Sequence, residues 1–311
     1  MKTLESINIA VLIPCYNEAN TIAEVVTSFK KYLPTADIYV YDNRSEDNTA
    51  ELAKEAGASV RTAKIRGKGN VVRRMFYDIE ADVYAMVDGD STYTAADAPK
   101  MINALIREKV DMVVAIRQEK SETAYRSGHK FGNKMFNFIL KILFDSAFQD
   151  IFSGYRVFSR RFVKTFPVMT NGFDIEAELS IHALTLDIPY AEINSTYLER
   201  PTNSHSKLNT LGDGFKILVS IIRLLKEIKP LFFFSLISLI LFLMSVGISY
   251  PIIITFIESG LVPRLPTAVL SMGIMLFSFL SFTCGVILDG IGRTHIEVKK
   301  LNYLAYHKVF H

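Results

Sequence analysis

Three polar clusters, each following an apolar run, hold the residues of this chain best placed for chemistry. Pro14-Cys15-Tyr16-Asn17-Glu18 follows Ile7–Ile13, Asp42-Asn43-Arg44-Ser45-Glu46-Asp47 follows Asp37–Tyr41, and Asp88-Gly89-Asp90 follows Asp82–Val87. Two carboxylates separated by one small residue can share a divalent cation. Mg2+ or Mn2+ takes such hard oxygen ligands and leaves positions for phosphate oxygens and water. Gly89 lets the backbone pass close to a bulky diphosphate. Asp-Gly also suits a plain surface turn, but its place level with two other strand-end clusters favours the metal. Asn17, Glu18 and Asp42 can accept hydrogen bonds from ribose hydroxyls and a base N–H. Ser45 and Asp47 could equally cap the next helix, and Asp47 is read mainly as a cap. Gly67-Lys68-Gly69 opens a helix, a setting that favours phosphate. The GxxxxGK[ST] spacing is absent, which argues against a P-loop ATPase. His129, His182 and His205 form no HxxxH or HExxH pair, so no zinc site is expected. Cys15 has no evident catalytic partner and reads as packing.

The elements that must position these groups alternate. Ile7–Ile13 is continuously apolar and stops at Pro14, as a strand buried on both faces does. A helix over Ala19–Leu33 follows, with Ile22, Val25, Val26 and Phe29 on one face. Strands are expected at Asp37–Tyr41, Ser59–Thr62, Asp82–Val87 and Val110–Ala115. Helices are expected over Asp47–Ala56, from Gly67 to Ile79, and over Ala95–Glu108. This alternation predicts βαβ units and a mostly parallel sheet, with ligands beyond the carboxyl ends of its strands.

The last third differs. Leu231–Ile257 and Leu265–Leu288 carry no charge, and each exceeds the ~20 residues that span hydrocarbon. Basic residues flank the pair (Lys226 and Lys229 before; Arg293, Lys299 and Lys300 after), which places both ends in the cytoplasm. His129–Phe148 and Gly212–Ile228 read as basic amphipathic helices suited to a membrane interface, though core helices with solvated lysines fit the first equally. A net charge of +3 without an arginine-rich, aromatic-interleaved face excludes nucleic acid as the expected partner. Two cysteines make no disulfide framework, in keeping with a reducing cytosol. Met1–Ser6 has no apolar h-region, so no cleaved export signal is expected. The expected organisation is a catalytic domain over 1–208, an interfacial helix over 209–230, two spans within 231–289 and a cytoplasmic tail over 290–311.

As a set, Pro14-x-Tyr16-Asn17-Glu18, Asp42-x-x-Ser45-x-Asp47, Gly67-Lys68-Gly69 and Asp88-x-Asp90 resemble the inverting glycosyltransferases of family 2, with a GT-A fold. Asp150-x-x-Ser153-Gly154-Tyr155-Arg156 resembles the D-x-x-S/T-G-F/Y-R segment of that family. Arg200 with Ser206-Lys207-Leu208 resembles its R…SK segment before the membrane helices. With two C-terminal spans, the whole resembles polyprenyl-phosphate glycosyltransferases, relatives of dolichol-phosphate mannose synthase. The usual Asp-Ala-Asp-Leu-Gln is here Asp88-Gly89-Asp90-Ser91-Thr92, and the QxxRW motif of processive synthases is missing.

The resemblance implies an α/β GT-A domain with a transmembrane hairpin, in the cell membrane, its catalytic face cytoplasmic. It implies a uridine-diphosphate sugar as donor, with N-acetylglucosamine or glucose as the sugar, and a polyprenyl phosphate such as undecaprenyl phosphate as acceptor. Pro14, Tyr16, Asn17, Glu18, Asp42, Lys68 and Asp88 would bind the donor, and Asp88 and Asp90 the Mg2+ or Mn2+. Arg117, Arg126, Arg200 and Lys207 would hold the acceptor phosphate, Arg117 being also a candidate for catalysis. Asp174 and Glu176 lie where many relatives hold a catalytic acid, with orienting an arginine or beginning a helix as the alternative roles. Membrane lipid, a homo-oligomer and a small membrane-protein partner complete the implied surroundings. Alternatives are another lipid acceptor, whose hydroxyl would need a base, and a non-catalytic membrane scaffold.

Overall fold

The computed structural model describes residues 7–119, 148–167, 175–198, 225–226 and 229–306. The chain divides into two compact units, 1–208 with 299–311, and 209–298.

The first unit is a seven-stranded sheet. Its strands are β1 (Ile9–Cys15), β2 (Asp37–Asp42), β3 (Ser59–Thr62), β4 (Val83–Met86), β5 (Met112–Glu119), β6 (Arg156–Ser159) and β7 (Tyr190–Tyr197), in the order β3-β2-β1-β4-β6-β5-β7. The β3-β2-β1-β4 half is parallel. β6 runs antiparallel to both β4 and β5, whereas β5 and β7 pair in parallel. The parallel strands therefore end on one edge, and β6 begins there. The sequence predicts the mostly parallel sheet and its helices; the reversed β6 is an addition that the βαβ pattern does not announce.

Helices α1 (Ile22–Tyr32), α2 (Thr49–Glu55), α3 (Lys68–Asp78) and α4 (Ala98–Arg107) fill the crossovers, with α5 (Arg160–Thr165) and α6 (Ile175–Thr185) further on. α1 and α4 each bury one stripe, Ile22, Val25, Val26 and Phe29 on α1 and Met101, Ile102 and Leu105 on α4, whereas α6 is buried on nearly every side. β1 is buried from Ile9 through Ile13, as a central parallel strand must be. The span expected as one helix over Ala95–Glu108 opens with a 3-10 turn at Ala95–Asp97, because Pro99 in the first turn of α4 makes a favoured helix start.

Residues 299–306 close the first unit from the C-terminus. The Tyr303 hydroxyl meets Asp111 and lies 2.5 Å from the Arg161 guanidinium, which stacks on its ring, and Lys300 pairs with Asp187 at 2.7 Å.

The second unit contains α7 (Pro230–Ser259) and most of α8 (Leu265–Ala305), both long and apolar enough to cross a membrane. α8 continues well past Leu288 into residues expected as a tail. The hairpin packs through small residues. Ser238 and Ser278 hydroxyls lie 3.1 Å apart, Ser245 donates to the Ser271 carbonyl at 2.7 Å, and Ser281 to the Phe234 carbonyl at 3.1 Å. At Gly285 an added Cβ would lie 2.9 Å from Phe234. Ser271, Ser278 and Gly285 recur at a spacing of seven on α8, as Ser238 and Ser245 do on α7. These small residues line one seam between α7 and α8, where close approach and interhelical hydrogen bonds join the two helices. Phe232, Leu243 and Phe277 on other faces are more than half exposed.

Ser238→Cys with Ser278→Cys, in a chain whose exposed Cys284 is replaced by Ser, is expected to form an intramolecular disulfide on mild oxidation in membranes. Loss of maleimide labelling and a reducible mobility shift would report it. Full labelling after oxidation would contradict this pairing of the spans.

Candidate functional site

Register assembles the site. Met86 on β4 pairs with Arg156 on β6. Continuing that antiparallel register by two residues sets Asp88 opposite Gly154. A Cβ on Gly154 would lie 2.3 Å from Asp88 Oδ2, so any side chain there would push that carboxylate aside. A Cβ on Gly89 would meet the Cys15 sulfur at 2.6 Å, which ties the end of β4 to the end of β1. The Thr21 hydroxyl donates to the Gly89 carbonyl at 2.7 Å and fixes the same turn.

The other oxygen of Asp88 meets a cation. Lys68, the first residue of α3, places Nζ 2.5 Å from Asp88 Oδ1, and the same ammonium pairs with Glu176 on α6. All three side chains are largely buried. Burial alone would push the Lys68 ammonium down, but Asp88 and Glu176 outweigh it and hold it above the ordinary lysine range. Asp90 is buried, and its Oδ1 accepts from the Thr92 hydroxyl at 2.6 Å and the Thr92 amide at 3.2 Å. Among the described residues no group of three or more His, Cys, Asp or Glu side chains forms a metal cage. Asp88 and Asp90 are two hard oxygen donors one residue apart. That set suits an ion whose remaining ligands come from a diphosphate and water.

The first two clusters are tied to each other. Asn17 Oδ1 accepts from the Glu46 amide at 2.8 Å, while the Asn17 and Glu18 amides donate to Ser45 and Thr49 hydroxyls, each at 2.9 Å. The two Asp42 oxygens accept the Ser45 amide at 3.2 Å. Asp47 accepts from the Thr49 and Ala19 amides and bridges the two loops; the N-cap position of α2 is Asn48, one residue later, which makes no side-chain cap bond. Arg66 lies over the Tyr16 ring, 5.8 Å from its centroid. Non-glycine residues with left-handed backbone occur in all three clusters, at Asn17, Arg44 and Ser91; such positions concentrate at functional sites.

The segment from Asp150 to Arg156 works as one device. Arg156 is fully buried and donates to the Ser153 carbonyl at 2.9 Å and the Ile151 carbonyl at 2.6 Å, clamping the loop from beneath. Burial lowers its pKa to about 10, and the guanidinium stays charged at neutral pH. Asp150 takes Arg117 in a two-point fork, 2.6 Å to Nε and 2.7 Å to Nη2, and Tyr197 lies 5.5 Å from that guanidinium. The Gly154 amide donates to the Tyr93 hydroxyl at 2.9 Å.

The structure thus brings Lys68, Asp88 and Glu176 together, sets Asp90 beside them in sequence, and holds Arg117 through Asp150. Asp174, Arg126, Arg200 and Lys207 lie outside the described residues. Tyr93 was missed, and Gly154 and Asn43, named only within longer motifs, were given no role of their own. Asn43 accepts the Gly67 amide at 2.8 Å and donates to the Ile65 carbonyl at 2.8 Å, so it sets the loop that delivers Lys68. Gly67 itself has φ 115°, a left-handed conformation that favours glycine. A lone asparagine after a strand carries no spacing signal for such a role.

Comparison with known proteins gives the family and the fold. The family model described as glycosyl transferase family 2 matches residues 10–166. The glycosyltransferase AglJ of Haloferax volcanii is 32% identical over 294 residues, covering 94% of this chain and 96% of its own. A dolichyl-phosphate hexose transferase of the same organism is 26% identical over 220 residues, covering 71% of this chain and 95% of its own. Among solved structures, glucosyl-3-phosphoglycerate synthase of Mycobacterium tuberculosis, in complex with Mn2+, uridine diphosphate and its product, superposes with a TM-score of 0.58. It shares 23% identity and covers 71% of this chain and 79% of its own.

Gly154→Ala is expected to displace the Asp88 carboxylate without unfolding the sheet. Sugar transfer should fall by about a hundredfold, the penalty of an ångström-scale misplacement, while the circular dichroism spectrum is kept. Wild-type turnover in the alanine variant would show that Asp88 does not need its place beside Gly154.

Proposed function

The chain belongs to glycosyl transferase family 2, and we propose that it transfers a sugar from a uridine-diphosphate sugar to a polyprenyl phosphate at the cytoplasmic face of a membrane. The donor is UDP-N-acetylglucosamine or UDP-glucose and the acceptor undecaprenyl phosphate. The observation that carries the reading is the cluster of Lys68, Asp88 and Glu176 at the sheet edge where parallel α/β folds bind ligands. The dolichyl-phosphate relative supports a lipid phosphate as acceptor, and the Mn2+–uridine-diphosphate neighbour supports the donor class.

The chemistry follows from charge. A phosphate monoester has its second pKa at roughly 6 and is largely dianionic at neutral pH. Its oxygen attacks the anomeric carbon, the new C–O bond forms as the bond to the diphosphate breaks, and the diphosphate leaves with the electron pair. No proton has to be removed from the nucleophile, so no general base is required. Glu176 fits that economy, because it serves as a counter-ion to the Lys68 ammonium. A divalent cation held by Asp88 and Asp90 would supply charge stabilisation to the leaving diphosphate. Lys68 adds positive charge on the donor side. Arg117, oriented by Asp150, is offered to the acceptor phosphate, with Arg126, Arg200 and Lys207 completing that subsite.

The membrane arrangement is part of the same proposal. α7 and α8 span the bilayer, the interfacial segment 209–230 lies at its surface, and the basic residues outside the spans face the cytoplasm.

The test is purified full-length protein with Mn2+ or Mg2+, undecaprenyl phosphate and a panel of nucleotide sugars, the lipid product being identified by mass. One uridine donor is expected to give a sugar–phosphate–lipid. Asp88→Asn, Asp90→Asn or exhaustive chelation should each lower the rate by at least about a hundredfold. A product formed only on a free lipid alcohol, or full activity after chelation, would contradict the reading.

A further inference from the structure

The Lys68 ammonium already has partners inside the protein, and they are the groups a cation would want. Its Nζ lies 2.5 Å from Asp88 Oδ1 and it also pairs with Glu176, with the Lys68 and Glu176 side chains 14% and 7% exposed. Asp88 Oδ2 is pressed against Gly154, so Oδ1 is the oxygen in contest. We propose that Lys68 exchanges partners: it is the counter-ion of Asp88 and Glu176 until a nucleoside diphosphate and a divalent cation arrive, when the cation takes Asp88 and the ammonium turns to the diphosphate. Metal and nucleotide then bind with positive coupling. The inference rests on the donor-site reading given above and assigns the coupling to one residue.

The charges give the direction. One ammonium against the carboxylates of Asp88, Asp90 and Glu176 leaves the cluster at −2. A cation arriving alone must displace the ammonium from Asp88 and leave it beside a doubly charged ion, in a poorly solvated place where such repulsion is strong. A diphosphate arriving alone brings negative charge to three carboxylates. Arriving together, each ligand removes the other's penalty: the cation neutralises Asp88 and Asp90, and the released ammonium meets the diphosphate. Glu176 stays bound to Lys68 and keeps the ammonium in the site through the exchange. Lysine suits this work better than arginine. Its compact head on a flexible stem holds two carboxylates and can turn to a third anion without a fixed fork geometry. Coupling of this kind is reciprocal, so uridine diphosphate must tighten Mn2+ binding by the factor with which Mn2+ tightens uridine diphosphate.

Calorimetric titration of the full chain in detergent, with Mn2+ alone, uridine diphosphate alone and the two combined, measures each term. In the wild type, uridine diphosphate is expected to tighten Mn2+ by about tenfold or more. Lys68→Met should bind Mn2+ alone more tightly than the wild type, and its coupling factor should fall towards one. Glu176→Gln should move the other way. Its ammonium is left to Asp88 alone, so Mn2+ alone binds more weakly and uridine diphosphate alone more tightly. Opposite shifts in the two variants separate exchange from structural damage, which would weaken Mn2+ in both. Coupling as large in Lys68→Met as in the wild type, or Mn2+ shifts of the same sign in both variants, overturns the exchange and leaves the donor site standing. Failure of the wild type to bind Mn2+ even with uridine diphosphate overturns both.

Discussion

The placement of one carboxylate organises the site. Asp88 is held from two sides, by the Lys68 ammonium on Oδ1 and by the bare Cα of Gly154 against Oδ2. Each contact recruits a different part of the chain. Lys68 depends on Gly67 and on Asn43, which ties the end of β2 to the start of α3. Gly154 depends on the reversed strand β6 and on buried Arg156, whose carbonyl contacts shape the loop before it. Glu176 reaches in from α6 and shares the ammonium. Groups more than a hundred residues apart in sequence meet because a parallel sheet gathers strand ends on one edge and β6 starts there.

Much of this was legible in the sequence. Continuous apolar runs stopped by Pro14 or followed by acidic residues identify buried parallel strands, and their polar ends identify the ligand edge. Gly67-Lys68-Gly69 opening a helix was readable because glycine before a helix has few other uses. The insertion of β6 between β4 and β5 was not readable. A four-residue strand has no periodicity that distinguishes its direction, and its place depends on tertiary pairing. The partner of Lys68 was hidden for the same reason: an ammonium on α3 and a carboxylate on α6 meet only through the fold. In the hairpin, length and apolarity were plain, but the seven-residue recurrence of Ser271, Ser278 and Gly285 shows its meaning only beside Ser238 and Ser245. α8 runs on past the uncharged stretch because charge ends such a stretch and not a helix; Asp289 through Ala305 continues the same helix.

In the proposed reaction donor and acceptor pose different problems. The donor is a soluble anion and calls for cations and hard oxygen ligands on a rigid sheet edge. The acceptor proposed above, a phosphate on a hydrocarbon chain, would be already ionised, so it would need positioning more than activation. A site whose carboxylates are arranged as counter-ions to a lysine matches that demand.

The central claim is a single displacement by an ionised lipid phosphate at the Asp88 edge, and the anomeric configuration of the lipid product tests it most directly. With an α-linked nucleotide sugar as donor, the one-bond carbon–hydrogen coupling at the anomeric centre of the product should report a β-linkage. An α-linked product would require a second displacement or a different reacting face, and would contradict the account.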